Sequence, residues 1–141
     1  MNIEFQKAIE KKRILRFSQG KRQIKKELRE AENDLAEAIN RFDNEKYKYA
    51  TINGYYSMFH CARALIYSKG YREKSHYYLL VALNSLFVET GLLSEEISSE
   101  LHDAMILRED ANYHGNFTKD GAEAVLKAAK EFLTIAKSVL K

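Results

Sequence analysis

The chain has 141 residues, 45% apolar and 30% charged, with no proline, six glycines and one cysteine; this is the balance of one folded domain and leaves long stretches free of helix breakers. The lone Cys61 excludes an internal disulfide, no apolar run reaches the ~18 residues of a membrane span, and no N-terminal stretch has the layout of a secretion signal, so a soluble cytoplasmic protein is expected. The net charge of +3 is unevenly spread: residues 1–29 hold ten Lys or Arg against three Glu, and the remainder holds thirteen against seventeen acidic residues.

Residues 3–17 read as a short basic helix, broken at Ser18-Gln19-Gly20. Its charges and those that follow, Lys11, Lys12, Arg13, Arg16, Lys21, Arg22, Lys25 and Lys26, either meet phosphates of a polyanion or form a solvated helix face. From 22 to 42, Ile24, Leu28, Ala31, Leu35, Ala38, Ile39 and Phe42 recur at steps of three and four, a narrow packing stripe. The next helix, 45–69, carries Ile52, Tyr55, Phe59, Ala62 and Ile66 on one line and should be the most buried element. Gly54 within it permits close helix contact, and Gly70 ends it. After a loop at 70–74, Ser75 caps a helix bearing Tyr77, Leu80, Val81, Asn84, Phe87 and Val88, which stops at Gly91. Ser94-Glu95-Glu96 starts another, and the last begins near Thr118 and repeats Ala122, Val125, Leu126, Ala129, Leu133, Ala136 and Leu140. Six helical segments with short connections predict an all-α antiparallel bundle, a single domain over 1–141, with 1–20 as a basic N-terminal helical extension and 21–141 as the bundle core.

The helix that starts at Ser94 carries the informative anomaly. At about 100° per residue, Ile97, Leu101, Ala104, Arg108 and Asn112 project to one side, so two polar side chains interrupt an apolar stripe. An arginine is almost never fully buried alone, because its charge loses hydration; Arg108 must find an anion, a second chain or a water-filled cleft. His114 lies six residues on, about 120° away on an unbroken helix, but Gly115 is a natural stop and the frayed end lets the ring swing toward Arg108. Asp110, four residues before His114, is within reach to orient the imidazole. Tyr55, Tyr56 and Phe59 read as core, with any phenol hydroxyl meeting a partner such as Asn112 or Arg108. Arg63 makes either a structural ion pair or a second phosphate contact. Lys74 and His76, at a helix start, either attract an anion or are solvated. His60, Cys61, His76, His102 and His114 form no metal-binding motif, glycine-rich phosphate loops are absent, and no metal or cofactor is expected.

The stretch Tyr55-Tyr56-Ser57-Met58-Phe59-His60-Cys61-Ala62-Arg63-Ala64-Leu65, the loop Lys74-Ser75-His76, and Arg108 followed by five residues and His114 together resemble small single-domain prokaryotic HEPN-domain proteins, over most of the chain. The resemblance implies an all-α bundle and a homodimer that brings two Arg-His motifs into one cleft. In active members it implies metal-independent endoribonuclease activity, with RNA as ligand. It makes Arg108 and His114 the catalytic pair, with Asp110 and Asn112 as polar supports. Many members are toxins paired with a small nucleotidyltransferase antitoxin; others are non-catalytic modules that bind a nucleotide or that partner. Some toxins carry a tyrosine two residues after the histidine that the antitoxin modifies. Here Asn116 takes that position, and Tyr113 precedes the histidine as a substitute target.

Overall fold

The computed structural model describes residues 2–141. Six α-helices and one two-stranded ribbon appear among them. Asn2 accepts from the Phe5 N–H at 2.7 Å and opens α1, Ile3–Glu10. The helix expected to run on to residue 17 stops here. Lys12 turns into the left-handed region at φ 58°, and Ile14–Arg16 then forms β1. Its partner is β2, Tyr71–Glu73, antiparallel, with Ile14 opposite Glu73 and Arg16 opposite Tyr71. Two corrections follow from this one pairing, at 3–17 and in the loop expected at 70–74. A three-residue strand is too short to show alternation, and its partner lies far along the chain, so the tertiary pairing overrides local helix preference.

The helix α2 spans Gly20–Asp43 and α3 spans Tyr47–Ser68. The short turn between them, with Glu45 at φ 61°, sends α3 back along α2. α3 is the central element, with thirteen buried residues. Gly54 is required there by space: a Cβ would lie 2.8 Å from Val125 Cγ1, so the glycine lets α3 approach the final helix. Gly70, at φ 82°, closes α3 and leads into β2.

Ser75 accepts from the Tyr78 N–H and opens α4, His76–Leu83. The expected single helix to Gly91 is not continuous. It widens into a π-helical turn over Asn84–Val88, where the Glu89 N–H reaches back five residues to the Asn84 carbonyl at 2.9 Å. Such a turn keeps the same apolar composition as α-helix, so side-chain periodicity does not mark it. Ser94 caps α5, Glu95–Tyr113, and Thr118 caps α6, Lys119–Val139, by accepting from Gly121 at 2.9 Å.

The core is continuous from end to end. Phe5, Ala8 and Ile14 lie in the same cluster as Tyr55, Leu65, Phe87, Leu101 and Phe132. Burying one such large side chain stabilises by about 1.5–3 kcal/mol. Among the described residues, no helix is long and apolar enough to cross a membrane.

Candidate functional site

Arg108 sits on the inner face of α5 with 5% of its surface exposed. Aromatic rings rather than carboxylates surround it. Its Cζ lies 5.2 Å from the centre of the Tyr55 ring, 5.7 Å from Tyr56 and 5.8 Å from Tyr113. Nη1 makes a long 3.5 Å contact to the Tyr113 hydroxyl, and Nε is buried with no hydrogen-bond partner. A guanidinium over an aromatic face gains about 0.5–2 kcal/mol, which does not replace the solvation of a full charge. The site is electrostatically incomplete and suited to an anion.

His114 caps the C-terminus of α5, and Gly115 follows at φ 67°. The Asp110 carbonyl accepts from both the His114 and Asn116 N–H groups, at 3.1 and 3.0 Å, and so fixes this turn. The side chain of His114 is 64% exposed, with Nδ1 3.3 Å from Asp110 Oδ1. Tyr113, whose hydroxyl makes that long contact to Arg108, is 68% exposed. Asn112 differs from expectation. It shares the azimuth of Arg108 yet is exposed, because the last turn of α5 projects beyond the core after Ala111.

The Tyr55 hydroxyl meets neither Asn112 nor Arg108 but bonds to His76 Nδ1. His76 is partly buried, stacked on Phe59 at 4.7 Å between ring centres and 27° between planes. Burial, then the charges of Arg108 and Arg63, lower its pKa from the ordinary 6.5, with Glu109 opposing. His76 is thus a packed, hydrogen-bonded ring rather than a solvated helix start, and the Ser75 cap, which holds it at the beginning of α4, is the sequence signal for its place.

Beside His76 opens a cleft of about 420 Å³, lined by Phe59, Arg63, Arg72, Glu73, Lys74 and His76 among others. Arg63 donates from Nε to Glu73 at 2.9 Å, and its Nη1 lies 3.5 Å from Glu27. It therefore makes the ion pair of its two alternatives. Glu27 also holds His60 Nδ1 at 2.6 Å, and Asp34 stands 3.5 Å from His60 Nε2. Burial pushes the Glu73 carboxyl up against the opposing pull of Arg63. Neither buried carboxylate is marked by local sequence, since Glu27 falls inside a strongly charged helix and Glu73 in an apparent loop. Lys74 is exposed at the rim of this cleft, and Lys21, Arg22, Lys25 and Lys26 are exposed on α2. Among the described residues, no three His, Cys, Asp or Glu side chains gather to hold a metal ion.

Comparison with known proteins supplies a family. The HEPN domain model matches residues 24–139. A protein of Methanocaldococcus jannaschii named "Putative toxin MJ0142" is 31% identical over 129 residues, 86% of this chain and 88% of its own length. A second from that organism, "Putative toxin MJ0605", is 30% identical over 79% of this chain and 84% of its own. A UPF0332 protein of Archaeoglobus fulgidus is 31% identical over 80% and 91%.

Proposed function

The chain belongs to the HEPN domain family, and we propose that it is a toxin-like member that cleaves RNA without a metal ion, using Arg108 and His114. The observation that carries this reading is Arg108, a buried cation with an unpartnered Nε in an aromatic cage, six residues before an exposed histidine at the end of the same helix. His114 takes the proton of the ribose 2′-hydroxyl as that oxygen attacks phosphorus. Arg108 stabilises the charge of the phosphorane, and its planar fork grips two phosphate oxygens as lysine cannot. The 5′-oxygen leaves with a proton from His114 of a second copy, giving a 2′,3′-cyclic phosphate, so the working form is a homodimer. Asp110 orients His114, Asn112 and Tyr113 line the approach, and Lys74 with the basic α2 face contacts flanking phosphates. A small nucleotidyltransferase antitoxin is the partner that this reading expects.

A second reading, a non-catalytic module that binds a nucleotide or that nucleotidyltransferase, is favoured by the exposure of His114 and its single long contact to Asp110. Cleavage of mixed RNA in EDTA separates the two. The wild type should cut and an Arg108→Ala, His114→Ala double variant of unchanged helicity and oligomeric state should not. No cleavage by the wild type would favour the binding module, and cleavage retained by the double variant would move the site elsewhere.

A further inference from the structure

Arg108 shares its aromatic platform with a second histidine. The Tyr55 ring carries the Arg108 guanidinium at 5.2 Å and stacks with the His76 ring at 5.6 Å and 24°. Tyr56 touches both, Arg108 at 5.7 Å and His76 edge-on at 6.2 Å. We propose that His76 is a positioning residue for Arg108, acting through Tyr55. This builds on the reading of Arg108 as the anion-binding group.

The chemistry of the bond between Tyr55 and His76 gives the coupling its direction. Tyr55 is 1% exposed, and burial raises its phenol well above the ordinary value of 10, so the hydroxyl keeps its proton and donates. His76 Nδ1 therefore accepts, and the neutral imidazole carries its hydrogen on Nε2. Protonating Nδ1 would reverse this bond, with Nδ1–H donating to the phenol oxygen, and would force the buried hydroxyl hydrogen to turn away toward another acceptor. It would also place a second cation on the platform that holds Arg108. The groups around His76 are Arg108 and Glu109 of α5, Arg63 of α3, and Glu73 and Lys74 just before α4. Two arginines face it, and their repulsion together with burial keeps the ring neutral. Neutral His76 holds Tyr55 and Arg108 in register; protonated His76 disturbs that register by turning the hydroxyl and repelling the guanidinium.

Nitrogen NMR of the full chain tests this without RNA, following the imidazole nitrogens and the Arg108 Nε–H. Near neutral pH, His76 should show the Nε2–H tautomer, and the Arg108 signal should shift with the His76 titration midpoint as acid is added. Tyr55→Phe should abolish both the tautomer preference and that response, and His76→Gln, which leaves no imidazole to titrate at this place, should remove the Arg108 response. Arg108→Gln should move the His76 midpoint upward, while His114→Gln should leave the coupling intact. An Arg108 signal indifferent to the His76 titration, or unchanged in a well-folded Tyr55→Phe variant, would overturn the proposal. Intact coupling in a protein that cuts no RNA would count against the nuclease reading alone.

Discussion

Arg108 shows how one buried charge organises a site. It is 5% exposed, and three aromatic rings within 6 Å offset only part of its lost hydration. A phosphate would complete it. Under the nuclease reading, removing either Arg108 or His114 should lower RNA cleavage by about 10²–10⁴-fold, the usual worth of one acid-base group or one oriented donor. Arg108→Lys should restore little of it, because an ammonium cannot span two oxygens; single-turnover rates with a defined RNA would measure this. His76 makes a separate prediction for stability. Its pKa is held below the ordinary 6.5, so between the two values the unfolded chain binds more protons than the folded one. The stability it contributes is full above 6.5 and is lost as the pH falls through the folded value. Thermal melts at pH 7.5 and 5 should show the wild type losing stability relative to His76→Gln on acidification; parallel melting curves for the two would contradict this. Arg108 was legible in the sequence because a charge within an apolar stripe conflicts with burial. Its cage was only partly legible, since the tyrosines read as core with a hydroxyl toward a partner such as Asn112 or Arg108 and not with their rings against the guanidinium, and Asn112 shows that a shared azimuth does not mean a shared environment.

Helix boundaries were largely legible because their signals are local: Ser75, Ser94 and Thr118 each accept a hydrogen bond from the first turn of the helix they open. The β1–β2 ribbon and the π-helical turn at Asn84–Val88 were not, since the first depends on a distant partner and the second keeps helical composition. The contact of α3 with α6 rests on Gly54. Gly54→Ala would gain helix propensity but drive its methyl into Val125, a stiff β-branched side chain. The net effect should be a loss of about 1–3 kcal/mol. Trimming the opposing side chain should recover part of it, so a double-mutant cycle with Val125→Ala should show coupling of at least about 0.5 kcal/mol by urea unfolding. Strict additivity would mean that the helices separate freely here.

Across the whole molecule, the basic N-terminal fifth is divided between two roles. Its apolar residues Phe5, Ala8 and Ile14 join the common core, while Lys11, Lys12, Arg13, Arg16, Lys21, Arg22, Lys25 and Lys26 remain exposed. If the α2 charges meet RNA phosphates, neutralising Lys21, Arg22, Lys25 and Lys26 should weaken binding and flatten its dependence on salt, by up to about 3 in log–log slope for a single strand. A slope unchanged by these four substitutions would make the face a solvated surface. By itself, the sequence determined the helical class, the caps and the segment that carries Arg108 and His114. These follow from periodicity, from side chains bonding to backbone a few residues away, and from the cost of burying a charge. Only the tertiary structure decided that Arg63 closes on Glu73 and Glu27, that residues 14–16 pair with 71–73, and that His76 joins Arg108 across Tyr55. Each of those contacts joins different elements, and packing alone sets which residues of separate elements meet.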